Sequence, residues 1–408
     1  EWGAMSLYDR GDLPFRVKDQ MPGSYSGLGA ALGWKDIWTS PERREGAAPV
    51  REPVPSPVAF PPLPSLQLPG LIPPDVLADD AAALRRLGYS EEEIEHALAQ
   101  DIPEGGEPAA RRHFEAWLAE KGDAAEGAKM AASWDLPVSE TAAAGGHDAL
   151  AWANLSRPDG WTQLSHYLAV GCISAREIFA LAQPRKNFTG VAHRLLWREF
   201  HRLNAIHWGR RLFWLQGPGK IERPWSSDAT LVEAWKAGRT GVPYVDACMR
   251  ELRQTGWLAY KGRKTAGHFM VFDLGLDWRI GAFHYEDTLL DYDCAMNYGN
   301  WVTVAQVDKM RSWGDAGEAG ELKSHADLIW KLSAEKANDP AGAYIRRWVP
   351  ELGGVPDAFV HQPWQMAEDD MAGCKCVVGK DYPASLVGPL SFTDTTVKDS
   401  HPAASEKV

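Results

Sequence analysis

Leu289-Leu290-Asp291-Tyr292-Asp293-Cys294-Ala295-Met296-Asn297-Tyr298-Gly299-Asn300-Trp301 sets two carboxylates one residue apart ahead of small, amide and aromatic side chains. Alone it reads as a solvated Asp-x-Asp turn, because a buried carboxylate is costly unless hydrogen-bonded. Its surroundings change the reading. Gly275-Leu276-Asp277-Trp278-Arg279 and Gly238-Arg239-Thr240-Gly241-Val242-Pro243-Tyr244-Val245-Asp246-Ala247 precede it. From about 160 to 352 apolar residues recur at three- and four-residue spacing, punctuated at Gly217-Pro218-Gly219, Gly241-Val242-Pro243 and Gly262. That spacing predicts helices almost throughout and no run of alternating strands.

The chain has 408 residues, enough for two lobes or one domain with long appendages, and a net charge of −12. An acidic protein does not coat nucleic acid or membrane over its whole surface, so any such binding is local. No stretch approaches the roughly 18 consecutive apolar residues of a membrane span, which excludes an integral membrane protein of the helical kind. The five cysteines are scattered and form no zinc spacing, and the 12 histidines form none either, so no metal is expected and a reducing, intracellular setting is. The 19 tryptophans outnumber the 12 phenylalanines and 11 tyrosines. Packing accounts for most of them.

Residues 1–48 are Gly-rich and irregular, and residues 49–78 are Pro-rich, the composition of a linker. Residues 79–126 carry 13 acidic and 5 basic side chains, with Ser90-Glu91-Glu92-Glu93 as a helix start, and read as peripheral, solvated helices. Between 185 and 225 the balance reverses, with nine Lys or Arg interleaved with aromatics. There Arg194, Trp197, Arg198 and His201 fall on one helical face, a surface of cation and ring together, and His193, His201 and His207 read as surface groups. Further upstream, Trp161-Thr162-Gln163-Leu164-Ser165-His166-Tyr167 places hydroxyls ahead of an apolar run, with Thr162 as the N-cap. From 391 to 408 the polar tail is expected to be disordered.

The motif around Asp291, the two strings before it, Leu196-Trp197-Arg198-Glu199-Phe200 and Tyr344-Ile345-Arg346-Arg347-Trp348-Val349-Pro350-Glu351-Leu352 resemble, in the same order, the FAD-binding helical domain of the photolyase/cryptochrome family. Asn297-Tyr298-Gly299-Asn300-Trp301 and the Asp-Tyr-Asp before it look most like its DASH branch. The resemblance runs from about Trp2 to Tyr382-Pro383. It implies a mainly α fold with irregular N-terminal and Pro-rich segments. Residues 1–48 would be the remnant of the end of an N-terminal α/β domain, 49–78 the linker and 79–390 the FAD-binding domain. Because most of the α/β domain is missing, an antenna chromophore of folate type is not expected to bind.

The same resemblance assigns FAD to Thr162, Leu164 and Ser165 for its phosphates, with Trp161 standing where relatives carry a further hydroxyl. Arg263 and Asp291 match an ion pair beside the ring system, Asp293 a carboxylate at its pyrimidine edge, and Asn297 a neighbour of its redox-active nitrogen. Trp235, Trp278 and Trp301 match three indoles that relay an electron from the surface to photoexcited flavin. Arg194, Trp197, Arg198, Tyr260, Lys261 and Lys264 match a DNA-binding face that receives a flipped pyrimidine dimer in relatives, with single-stranded or looped DNA as the partner. Relatives place a glutamate where this chain has Arg194, Asn where it has Tyr260, a neutral side chain at Lys264 and an aromatic at Thr303. Glu199 is the nearest carboxylate that could stand in.

Three readings stay open. The first is a deoxyribodipyrimidine photo-lyase type enzyme, light-driven and weakened in repair by Arg194. The second is a blue-light photoreceptor without repair, its signalling partner unknown, and the third is a nucleic-acid-binding protein with a vestigial flavin site. A monomer is expected, and the compartment is intracellular with plastid or mitochondrion left open, since the N-terminus is expected to be missing.

Overall fold

A computed structural model describes residues 6–36, 40–43, 46–53, 79–98, 103–121, 162–185, 188–308 and 339–387. Most of the expected linker, the expected tail and Trp161 lie outside these described residues. The chain is mainly α. Its N-terminal part holds α1 (Tyr25–Ala31) and a short antiparallel hairpin of β1 (Trp34–Asp36) and β2 (Ser40–Arg43), with Trp34 opposite Arg43. Then come α2 (Asp80–Leu87), α3 (Glu91–Leu98) and α4 (Glu107–Lys121). After these follow α5 (Ser165–Val170), α6 (Ala175–Ala182) and the long α7 (Phe188–Trp208). The C-terminal half contains α8 (Ala229–Lys236), α9 (Pro243–Thr255), α10 (Tyr260–His268), α11 (Trp278–Thr288), α12 (Cys294–Val304), α13 (Ala343–Trp348) and α14 (Glu368–Gly373). None of the described helices is long and apolar enough to cross a membrane.

Local chemistry sets many of these boundaries. Ser90 and Glu93 form a reciprocal capping box at α3, with Ser90 N–H donating to Glu93 Oε2 at 2.8 Å and Glu93 N–H to Ser90 Oγ at 3.3 Å. Side chains of Asp228, Asp277 and Asp293 accept from first-turn amides of α8, α11 and α12, and α9 opens on Pro243. Helix α10 runs directly into a five-residue π turn, Phe269–Asp273. Asp246, in the motif before α9, is structural. It is fully buried and accepts from the Thr240 and Gly241 amides and from the Tyr382 hydroxyl, tying the turn before α9 to the C-terminal segment.

Two apolar clusters meet along α7. One joins α9, α10, α11, α12 and α13; the other joins apolar residues between Leu7 and Trp34, with Ala48, to α4, α6 and the first four turns of α7. Three expectations change here. The described residues of the 7–48 stretch pack as a cap rather than trailing as an irregular leader: Leu7, Tyr8, Leu28 and Trp34 are buried in one cluster with Phe179 and Phe200. Helix α4 is not peripheral, because Ala110, Phe114 and Leu118 give it an apolar stripe that the same cluster takes up. His193 and His201 are not surface groups but 2% and 1% exposed, since α7 has neighbours on more than one face. His207 does lie nearer the surface, with Nδ1 at 2.9 Å from the carbonyl of Lys18.

Buried carboxyls give this core a pH dependence. Glu251 on α9, reached by the Tyr344 hydroxyl of α13, is pushed up to about 7 from its ordinary 4.5 by burial, against the pull of Tyr344 and the charges of Arg347 and Arg263. Burial likewise pushes Asp308 up to about 7. A raised folded-state pKa means that the fold keeps a proton which the unfolded chain has released, so stability is full below about 4.5 and falls as pH rises to about 7. Urea unfolding is expected to show that decline, with Glu251→Gln removing its own share, about 3 kcal/mol at 1.36 kcal/mol per pKa unit. A flat profile in the native chain contradicts it.

Candidate functional site

Between the two clusters lie the start of α5, the inner face of α7, the first turns of α10 and the acidic turn before α12. Arg263 extends from α10 and donates through Nη2 to Asp291 Oδ2 at 2.7 Å and through Nε to the Leu258 carbonyl at 2.6 Å. Burial works against charge on Asp291, but Arg263, the Ser165 hydroxyl and His166 outweigh it and hold the carboxyl below its usual range. Asp291 Oδ1 is buried and has no hydrogen-bond partner, and neither has His166 Nε2. Burial also lowers the pKa of His166, although Asp291 opposes this. Ser165, Arg263 and Asp291 are thus brought together, and His166 joins them unforeseen. Thr162 is not the cap of α5. Leu164 occupies that position without a side-chain bond, and the Thr162 carbonyl lies 2.8 Å from His113 Nε2.

Asp293 is engaged differently from the expectation. Its Oδ1 accepts from the Met296 amide at 3.1 Å, and its Oδ2 takes Arg202 Nη1 at 3.0 Å and Arg198 Nη2 at 3.3 Å. Arg198, assigned to DNA on sequence, is therefore a buried partner of the acidic turn, 7% exposed. Burial lowers its pKa against the opposing Asp293 charge. The four-residue step from Arg198 to Arg202 was visible as helical spacing and is the signal that could have found Arg202. Asn297 donates to the Ala282 carbonyl at 2.9 Å, fixing α12 to α11. His201, on the same α7 face, lies against Gly299: a Cβ there would collide with its ring. Both ring nitrogens of His201 are buried without partners, and burial pushes its pKa down to about 3, so the imidazole is neutral.

The expected indoles lie in the larger cluster. Trp235 and Trp301 meet edge to face at 6.3 Å, and Tyr285 bridges them, stacked on Trp235 at 6.1 Å and edge-on to Trp301 at 5.2 Å. Sequence reading missed Tyr285, which nothing distinguishes from an ordinary core tyrosine until the rings are placed. Trp278 meets Tyr298 at 6.3 Å. Trp301 approaches α11 so closely that a Cβ on Gly281 would collide with it. None of the three indoles is at the surface: Trp235 and Trp278 are 0% exposed and Trp301 3%. A relay ending at the surface therefore does not end on these residues.

Of the remaining expected residues, Arg194 and Trp197 stand half-buried on α7, with desolvation lowering Arg194 to about 10. Tyr25 of α1 packs edge-on against Trp197 at 5.1 Å. Tyr260, Lys261 and Lys264 occupy the first turns of α10, each half-buried. Glu199 is unavailable to a ligand, being 1% exposed and accepting from the amides of Leu7 at 3.1 Å and Tyr8 at 3.5 Å. Among the described residues no cluster of His, Cys, Asp and Glu could hold a metal ion.

Buried, unpartnered atoms of opposite character, the acceptor Asp291 Oδ1 and the ring nitrogens of His166 and His201, fit a group that carries both donors and acceptors around a ring system. FAD is such a group. A family model described as the FAD binding domain of DNA photolyase matches residues 191–396. Cryptochrome DASH of Xenopus laevis is 38% identical over 233 residues, 55% of this chain and 42% of that protein. Cryptochrome DASH of Natronomonas pharaonis is 31% identical over 351 residues, 84% of this chain and 64% of that one. The chain thus spans less than half of the length of the frog relative. Among solved structures, a Synechocystis cryptochrome superposes with a TM-score of 0.68 at 26% identity, covering 94% of this chain and 69% of that one. A class III photolyase from Agrobacterium tumefaciens, with a TM-score of 0.64 at 23% identity, shares the fold.

Removing one member of the central pair should be worse than removing both. Arg263→Ala strands a buried carboxylate and is expected to cost about 3–5 kcal/mol in denaturant unfolding, whereas Arg263→Ala with Asp291→Ala should recover much of that loss. Equal losses in the single and double variants contradict the pairing.

Proposed function

The chain belongs to the photolyase/cryptochrome family and carries its FAD-binding domain, and from that premise we propose that it binds FAD noncovalently and feeds it electrons under blue light. The observation that carries this reading is the Arg263–Asp291 pair, whose second oxygen, Oδ1 of Asp291, is buried beside Ser165 and His166 with no partner. When bound, FAD supplies the blue absorption and the electron-accepting excited state. The residues of the chain hold and orient it. Arg263 keeps Asp291 ionised, leaving Oδ1 as an acceptor; the Ser165 hydroxyl and His166 line the same corner; Asn297 is fixed by the Ala282 carbonyl. Apolar packing around Trp301, Tyr285 and Trp235 excludes water from the rings that lose the electron.

For nucleic acid the proposal is local and weaker in specific contacts than the sequence face implied. Arg198 is engaged by Asp293, so the proposed phosphate contacts rest on Arg194, Lys261 and Lys264, with Trp197 and Tyr260 as rings for stacking. Arg194 stands where relatives carry a carboxylate, and it has no acceptor for a base N–H. Glu199 does not replace that carboxylate, and the Thr303 hydroxyl lies within 3.0 Å of the Gly299 carbonyl and 3.1 Å of Asp308. These observations favour weak or absent dimer repair, and with it a light-sensing role in which flavin reduction is itself the output.

Purified chain is expected to show flavin absorption that bleaches under blue light with a reductant; Asp291→Ala should lose the flavin, and Trp301→Phe should keep it but photoreduce slowly. A colourless native protein that takes up no added FAD overturns the reading. Binding to single-stranded DNA should weaken steeply with salt, and Trp197→Ala should cost about 1–3 kcal/mol. Light-dependent repair of a dimer in single-stranded DNA should be absent in the native chain and gained, if at all, in Arg194→Glu; robust native repair contradicts the weak-repair proposal.

A further inference from the structure

Behind the Arg263–Asp291 pair lies a second buried carboxyl. On α9, Cys248 and Glu251 share one face three residues apart, and the Tyr344 hydroxyl of α13 reaches both, Glu251 Oε2 at 2.5 Å and Cys248 Sγ at 3.7 Å. Helix α10 closes on the same spot. A Cβ on Gly262 would press on Leu258 and on Cys248 Sγ, so the α10 backbone lies against α9 one residue before Arg263. The Tyr285 hydroxyl donates to the Arg263 carbonyl at 3.4 Å, while the guanidinium turns to Asp291 and to the Leu258 carbonyl. Two buried carboxyls, Glu251 and Asp291, thus feel the charge of one arginine.

Burial raises Glu251 to about 7, opposed by the Tyr344 hydroxyl and by the charges of Arg347 on α13 and Arg263 on α10. Tyr344 is itself held well above its usual range by burial and keeps its proton. Other charges around α9 are taken: Arg250 by Glu351 at 2.8 Å, Asp246 by Thr240 and Tyr382, and on α8, which also packs on α9, Lys236 by Glu233 at 3.6 Å. Near neutral pH, Glu251 therefore passes between two forms. The neutral acid leaves the Arg263 charge to Asp291, and the carboxylate competes for it.

Resting on the FAD reading above, we propose that Glu251 is a positioning residue of the cofactor site: as a neutral acid it leaves Arg263 undivided to Asp291, and its ionisation loosens the hold on FAD. Two effects act in the same direction. An ionised Glu251 sets a second buried negative charge against one guanidinium, which weakens the bond that aims Asp291 Oδ1. Bound FAD excludes water from the corner, so the added charge costs more when the cofactor is present. The proton on Glu251 and the bound cofactor therefore favour each other by linkage. Because the carboxyl ionises at about 7, affinity is full below that pH and declines as pH rises through it. His166, in the same corner, is lowered from 6.5 by burial and is already neutral over that range.

Titrating the FAD-free chain with FAD over a series of pH values, followed by quenching of flavin fluorescence, tests this. The dissociation constant of the native chain should rise about tenfold or more between about pH 6 and about pH 8.5. Glu251→Gln keeps the shape and an acceptor for Tyr344 without the charge, and should hold the native low-pH affinity throughout. Asp308→Asn removes the other carboxyl raised to about 7 and should leave the native pH dependence in place. A flat native profile, a dependence that persists in Glu251→Gln, or one lost in Asp308→Asn overturns the inference and leaves FAD binding intact. If the native chain takes up no FAD at any pH, that reading falls, and a flavin-free measurement decides whether Glu251 and Asp291 share Arg263. The carbonyl stretch of protonated Glu251, identified in the infrared spectrum by its loss in Glu251→Gln, is titrated in the native chain and in Asp291→Asn. Asp291→Asn frees the Arg263 charge, so the Glu251 midpoint should fall by about one pH unit or more. An unmoved midpoint overturns the inference.

Discussion

Two carboxylates one residue apart, Asp291 and Asp293, are held out of water, and each needs a cation from a different helix. Asp291 takes Arg263 from α10 and Asp293 takes Arg198 and Arg202 from α7. Ionised groups at this depth are costly unless paired and hydrogen-bonded, so the turn before α12 fastens both helices in one arrangement. The capping role of Asp293 sets the start of α12, and with it the positions of Asn297, Tyr298 and Trp301. Site, helix packing and aromatic path all descend from that turn.

Glycine supplies the matching constraint on the other faces of α12. Gly299 lets the His201 ring lie against the α12 backbone, and Gly281 lets the Trp301 indole lie against α11. Close approach brings the buried rings of Trp235, Tyr285 and Trp301 to contact distance. It also removes water from Trp235, Trp278 and Trp301.

The basic stretch illustrates how tertiary structure redistributes charge. Nine cations between residues 185 and 225 suggest a nucleic-acid face, yet two of those on α7 neutralise Asp293. Glu199, next to Arg198 in the middle of the helix, clamps the N-terminal segment through the Leu7 and Tyr8 amides.

Helical periodicity, the capping box at Ser90 and Glu93, and ordered motifs made the mainly α architecture and the Arg263–Asp291 pair legible in the amino-acid sequence, because local hydrogen bonding and spacing suffice for the first and residue identity at matched positions for the second. The cap built by Leu7, Tyr8, Leu28 and Trp34 was not legible: these apolar residues lack a regular period and are brought together only by contact with α4, α6 and α7. Nor could spacing tell that Arg198 turns inward, that both ring nitrogens of His201 are buried, or that Tyr285 and Tyr298 rather than solvent lie beside the indoles. Those outcomes depend on which faces of α7, α11 and α12 meet. Burial is a property of the packed whole, and it changes a side chain from solvated charge or ordinary core ring into partner or clamp without changing the sequence around it.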